Sequence, residues 1–194
     1  MRNLGLIFVI SGPSGSGKTT LLQKLLVNKD LKNRLVKSVS FTTRPRRPGE
    51  KDGKDYVFIS KKEFQQARQA KKILESTRYL GYDYAMPKDF IERQLTSNKY
   101  PILCLDLKGA SQIKRLYPGD TVTIFVLPPS LEALRQRVKK RSRQTKKEEI
   151  ARRMRLAKKE LFAARRYDYC LANVDLKVAV KELREIIVSK INAK

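Results

Sequence analysis

Near the N-terminus, Gly12 to Thr19 reads GPSGSGKT and fits the spacing G-x-x-x-x-G-K-[ST]. Glycines so placed let successive backbone N–H groups turn inward around a phosphate, and a helix that follows adds the positive end of its dipole. Lys18 then reaches the terminal phosphates, and the Thr19 hydroxyl can hold Mg2+. The loop implies a nucleoside triphosphate and leaves the acceptor open. A second stretch, FTTRPRRPGEKDGKDYVF from Phe41 to Phe58, sets three arginines among prolines and glycines. Proline pins the backbone, so the guanidinium forks of Arg44, Arg46 and Arg47 lose little freedom on closing around a second dianion. The hydroxyls of SVSFTT lie just upstream, Tyr56 and Tyr84 offer phenolic donors, and a lone acid, Glu75, follows in ILES.

Composition narrows the chemistry further. The 194 residues contain no histidine, which excludes Ser-His-Asp triads, Cys-His pairs and His-ligated metals. Two cysteines, Cys104 and Cys170, sit in apolar segments and are expected to be buried thiols, not a disulfide framework or a thiolate metal site. Lys and Arg number 44 against 19 acids, a net charge of +25, so polyanionic partners are expected: nucleotides, nucleic acid or both. No apolar run approaches the roughly 20 residues that cross a bilayer. Leu4 to Ile10 runs into glycines without a cleavage signature and is read as a buried strand, so the expected address is the cytoplasm.

These residues need a scaffold, and the hydrophobic pattern supplies one. Apolar strand candidates at Leu4–Ile10, Pro101–Leu107, Thr121–Leu127 and Tyr167–Ala172 alternate with helical patterns, among them LLQKLLVNKDLKNRL, SLEALRQRVKKR and DLKVAVKELREIIVSKINA. That alternation argues for an α/β fold with a mostly parallel sheet covered on both faces. Between Lys37 and Lys99 the pattern changes to short polar strands, turns, and two helices beginning near Ser60 and Pro87, as an inserted lobe would. KKRSRQTKK, Lys139 to Lys147, lacks a hydrophobic anchor and is expected to be a mobile hairpin between helices.

The assembly resembles the guanylate kinase family: ISGPSGSGKTTLL, SVSFTTRPRRPGEKDGKDYVF, PPSLEALRQRV, EEIARRM, and YDY with Asn173 follow in family order along nearly the whole chain. The resemblance implies a P-loop NTPase-type sheet as a single domain, with a nucleotide-binding core at 1–36 and 100–194, a GMP-binding lobe at 37–99 and a lid at 139–155. It implies phosphoryl transfer from ATP to GMP, and to dGMP, with Mg2+. By the same resemblance Gly12, Pro13, Ser14, Gly15, Ser16, Gly17, Lys18, Thr19 and Asn173 hold ATP. Ser40, Arg44, Arg47, Tyr56 and Tyr84 hold the GMP phosphate, Glu75 reads guanine, and Asp106 lies on the guanine side. Arg137, Arg141 and Arg153 become lid arginines that act with Lys18 and Arg44 in catalysis.

The chain departs from the family pattern at three places. Cys104 stands where the family carries the first of two alternate aspartates, Asp106 being the second. Met86 replaces a hydroxyl expected to hydrogen-bond the base, and a one-residue insertion is expected near Arg143. Two other readings stay open here: a related binding module without turnover, or a kinase of altered base specificity. Specific nucleic-acid binding is not expected despite the charge, and the oligomeric state is left open.

Overall fold

The computed structural model describes residues 5–141 and 147–194. β1 (Ile7–Ser11), the run before the glycine loop, is buried at all five positions. Phe8 and Ile10 enter one apolar cluster, Ile7 and Val9 another. Burial on both faces is why the strand reads as unbroken apolar sequence instead of alternation. β1 pairs in parallel with β7 (Tyr100–Cys104) and β8 (Thr121–Leu127). β2 (Leu35–Lys37) adds beyond β7 and β9 (Tyr169–Ala172) beyond β8, giving a five-stranded parallel sheet in the order β2-β7-β1-β8-β9.

Helices cover both faces of this sheet. α1 (Lys18–Leu26) buries Leu21, Leu22 and Leu25 against one face. α7 (Leu176–Asn192) joins it with Ala179, Leu183, Ile187 and Ile191, a stripe at four-residue spacing. Each such leucine or isoleucine contributes about 1.5–3 kcal/mol by burial. α3 (Lys88–Thr96) and α4 (Leu107–Leu116) cover the other face with Ile91, Leu95, Ala110 and Ile113.

Three boundaries differ from the sequence expectation for local reasons. The leucine pattern after the glycine loop continues to Leu35, but α1 ends at Leu26. Beyond Val27 the Asn28 side chain accepts a hydrogen bond from Asp30 N at 3.1 Å, a turn that competes with helix, and Leu35 begins β2. β7 stops at Cys104 because the Asp106 side chain caps α4, accepting from Gly109 N at 2.9 Å. β9 begins only at Tyr169, since the Asp168 carboxylate is tied to Thr123 N and Thr123 Oγ1, each at 2.7 Å.

The lobe is a second sheet, β4-β3-β6-β5, of β3 (Phe41–Thr42), β4 (Val57–Phe58), β5 (Ile73–Tyr79) and β6 (Tyr82–Pro87). β5 and β6 form a hairpin turning at Leu80 and Gly81, both at positive φ, as two-residue turns matching strand twist require. α2 (Lys61–Gln69) starts at a reciprocal cap between Ser60 and Glu63. α3 lies within the lobe's residue range, yet its Ile91 and Leu95 pack in the cluster beneath β1 and β7. After β8 come α5 (Leu131–Arg141), α6 (Lys147–Phe162) and a 3-10 turn, Ala163–Arg166. Residues 142–146, on which most of the expected Lys139–Lys147 hairpin falls, and the side chain of Arg141 lie outside the described residues. Among described residues no helix is long and apolar enough to cross a membrane.

Candidate active site

The carboxyl ends of β1, β7 and β9 all open onto one cleft of about 700 Å3, with the lobe as its opposite wall. Open parallel sheets place ligands at this edge because loops and helix N-termini converge there. The glycine loop leaves β1 and opens α1 at Gly17. Its φ of 101° is a left-handed value, and a methyl there would also collide with the Asn173 side chain. That side chain donates to Ser16 O at 2.7 Å, so the segment after β9 closes directly on the loop. Gly17→Ala is therefore expected to strain the backbone by about 1–3 kcal/mol and displace Asn173. Calorimetric titration should show ATP binding weakened at least tenfold, with GMP binding unchanged.

Lys18 folds back over the loop, donating to Gly12 O at 2.5 Å and Pro13 O at 3.0 Å. Thr19 is exposed on the cleft wall. Gly12, Ser14, Gly15 and Gly17 line the cleft. Ser16 and Pro13 are buried beneath it and contribute through the backbone. From α6, Arg153 Nη1 donates to Ser14 Oγ at 3.1 Å, and from α5, Arg137 Nη1 lies 3.5 Å from Ser16 O, a long contact.

Across the cleft, Arg44 is only 6% exposed and is held on several sides. Nη1 donates to Pro45 O at 2.6 Å, and Nη2 to both carboxylate oxygens of Glu50 at 2.8 and 2.9 Å. The guanidinium lies over the Tyr56 ring at 5.4 Å and the Phe58 ring at 5.6 Å. Glu50 also accepts from Arg47 N at 2.8 Å, so one carboxylate ties the Arg44 side chain to the Arg47 backbone. Sequence reading passed over Glu50. Its signal is an acid placed three residues after Arg47 and six after Arg44, in a loop that turns back on itself. Ser40, Arg44, Arg47, Tyr56 and Tyr84 all line the cleft, and Tyr56 and Tyr84 meet edge to face at 5.8 Å.

Glu75 of β5 is 4% exposed, and its Oε2 has no hydrogen-bond partner among the described residues. Burial, and after it the charge of Asp106, push its carboxyl up to about 7. Gly109 makes room for it: a Cβ there would stand 3.1 Å from Glu75 Oε2. Asp106 is engaged at both oxygens, by Gly109 N and by Thr77 Oγ1 at 2.9 Å each. Cys104 lines the cleft at the end of β7, half-buried, and burial raises its thiol pKa; Cys170, expected to be buried, is exposed on β9. Met86 stands opposite Glu75 in the hairpin register but is fully buried in an apolar cluster with Ile91 and Leu103 and does not line the cleft. A third acid of the cleft, missed by sequence reading, is Glu160 of α6, 3% exposed. Burial pushes it up to about 7 against the opposing pull of Lys18.

An amide loop with its lysine on the core thus faces a rigid arginine pair on the lobe. A guanylate kinase family model matches residues 5–190. The chain belongs to the guanylate kinase family. Among its relatives is a guanylate kinase of Wolbachia sp. subsp. Brugia malayi, 41% identical over 187 residues, covering 96% of this chain and 94% of the relative. Another is a guanylate kinase of Caldanaerobacter subterraneus subsp. tengcongensis, 40% identical over 191 residues, covering 98% of this chain and 90% of the relative. The crystal structure of a guanylate kinase from Anaplasma phagocytophilum superposes with a TM-score of 0.79 at 30% identity, over 98% of this chain and 88% of that one. The guanylate kinase fold therefore accounts for the whole architecture, core sheet and lobe together.

Proposed function

We propose that the chain transfers the terminal phosphoryl group of ATP to the phosphate of GMP, and of dGMP, in the cytoplasm. The observation that carries this reading is the facing of two anion cradles across one cleft, Gly12–Thr19 with Lys18 on one side and Arg44 with Arg47 on the other. The acceptor is a phosphate whose second pKa is about 6, so it is already a nucleophile at neutral pH and needs no general base. What remains is to hold two repelling anions in line and to balance charge on the passing group.

In this reading Gly12–Thr19 and Asn173 bind ATP, and Ser40, Arg44, Arg47, Tyr56 and Tyr84 bind the GMP phosphate. Lys18, Arg137, Arg141 and Arg153 balance the transferred charge, and Asp106 supports the guanine side. The described residues hold no cluster of three or more metal-ligating side chains. That suits Mg2+, which is carried largely by nucleotide phosphates and water with one or two protein oxygens. The exposed Thr19 hydroxyl would hold it, and the ion would neutralise the β- and γ-phosphates.

Glu75 reads the base in this proposal, because guanine presents two adjacent N–H donors that one carboxylate accepts together. Only the ionised carboxylate can do so. With its carboxyl held up to about 7, affinity for GMP rises as pH increases toward 7 and levels off above it. GMP itself deprotonates near 6, so KM between pH 6 and 8.5 is expressed per GMP dianion, which leaves the titration of the enzyme group. Stability runs the other way: the folded state keeps this proton above the usual carboxylate range, so stability falls from about pH 4.5 to 7 and is flat beyond. A KM independent of pH across that window would remove Glu75 from the base site.

The direct test compares transfer to GMP, dGMP, AMP, UMP and CMP. GMP and dGMP are expected to lead, and preference for AMP or a pyrimidine would overturn the guanine assignment.

A further inference from the structure

Residues seven apart on a helix differ by only about 20° in direction, so Arg153 and Glu160 project from the same side of α6. Arg153 fixes where that side points, since its Nη1 bonds the Ser14 hydroxyl of the glycine loop at 3.1 Å. Two turns on, Glu160 enters the same cleft, 3% exposed, with Oε2 lacking a hydrogen-bond partner among the described residues. A buried carboxylate without a donor is costly, and retaining one beside a phosphate cradle calls for a partner that arrives with the substrate.

The neighbouring groups identify that partner. Lys18 and Asp106 are near enough for their charges to act on Glu160. Nucleotide phosphates will therefore lie close by, and a carboxylate among phosphates is tolerated only with a cation between them. Asp106 has both oxygens committed, to Thr77 and to the α4 cap. Cys104 presents a thiol where a second carboxylate would stand, and Glu75 lies against Gly109 at the start of α4. Among the described residues, Glu160 is the cleft acid with an uncommitted oxygen on the Lys18 side.

We propose that Glu160 is a positioning residue for the nucleotide-bound divalent cation, its carboxylate accepting hydrogen bonds from the ion's water shell. This rests on the Mg2+ reading above. Mg2+ keeps several waters in such sites, and those waters are the donors the carboxylate lacks. Because Arg153 and Glu160 share one helix face, docking of α6 on the glycine loop also delivers the acceptor to the ion.

The test uses Mn2+ in place of Mg2+ and a non-hydrolysable ATP analogue, with free Mn2+ followed by electron paramagnetic resonance. Glu160→Gln is expected to weaken Mn2+ binding to the enzyme–nucleotide complex by about 10–100-fold, as loss of an outer-shell acceptor does. Analogue affinity without metal should be unchanged or tighter, and Glu160→Asp should recover part of the Mn2+ affinity. The melting temperature of Glu160→Gln should match or exceed the parent's, because an unpaired buried carboxylate is removed. Unchanged Mn2+ affinity in Glu160→Gln, with the parent's nucleotide binding still metal-dependent, would overturn the role of Glu160 alone. An equal loss of metal-free binding would overturn it too, by revealing a merely structural part. Nucleotide binding by the parent that ignores Mn2+ and Mg2+ would defeat the cation reading itself.

Discussion

Arg44→Met is expected to raise KM for GMP by about 10²–10³-fold and to lower the melting temperature by about 6–12 °C. The two effects have separate causes. Binding suffers because a guanidinium already oriented by Pro45, Glu50 and the Tyr56 ring is lost from the acceptor site. Hydrogen bonds to charged groups contribute about 1.5–3 kcal/mol each, and a bidentate phosphate contact supplies two. Stability suffers because Glu50, 13% exposed, loses its partner. Breaking a buried pair from one side costs about 3 kcal/mol or more, and each kcal/mol moves the melting point of a chain this size by about 2–4 °C. The double variant Arg44→Met/Glu50→Gln should regain most of the stability and none of the GMP affinity. Calorimetry and steady-state kinetics on both variants separate the causes; a well-folded Arg44→Met with parental KM for GMP would mean that the loop does not hold the acceptor phosphate.

Glu75→Gln is expected to lower kcat/KM for GMP by about 10³-fold or more while leaving the weak reaction with AMP nearly as it was. Sites built around hydrogen-bond complementarity discriminate this strongly because mismatched polar groups are left buried and unpaired. Glutamine turns an amide N–H toward one of the two guanine donors, in a pocket where Glu75 is 4% exposed and water cannot mend the mismatch. The same change should stabilise the free enzyme above pH 7 and do little near pH 5, where the carboxyl already carries its proton, and the pH dependence of KM should collapse to that of GMP alone. The readings are kcat/KM for GMP and AMP at pH 8 and melting curves at both pH values. Equal losses for both nucleotides would mean that Glu75 supports the cleft without reading the base.

Periodicity and spacing sufficed for much of this molecule because the signals are local. The apolar run of β1, the glycines from Gly12 to Gly17 and the helix start near Ser60 each act within a few residues, and the structure realises all three. The arginine loop was likewise visible as stiff, concentrated charge. Helix and strand ends were less so, since Asp106 and Asp168 end or delay strands by bonding partners in other elements.

The tertiary structure alone decided which acids share the cleft. Glu75, Asp106 and Glu160 come from β5, the turn before α4, and α6, and no sequence window spans them. It also decided that Met86, opposite Glu75 in sequence register, packs into the core instead of facing the cleft. Local patterns depend on backbone geometry that a few residues set, whereas the burial and pairing of a charge depend on what distant segments bring beside it. Glu50 against Arg44, and Glu160 with an oxygen unpartnered among the described residues, are consequences of that packing.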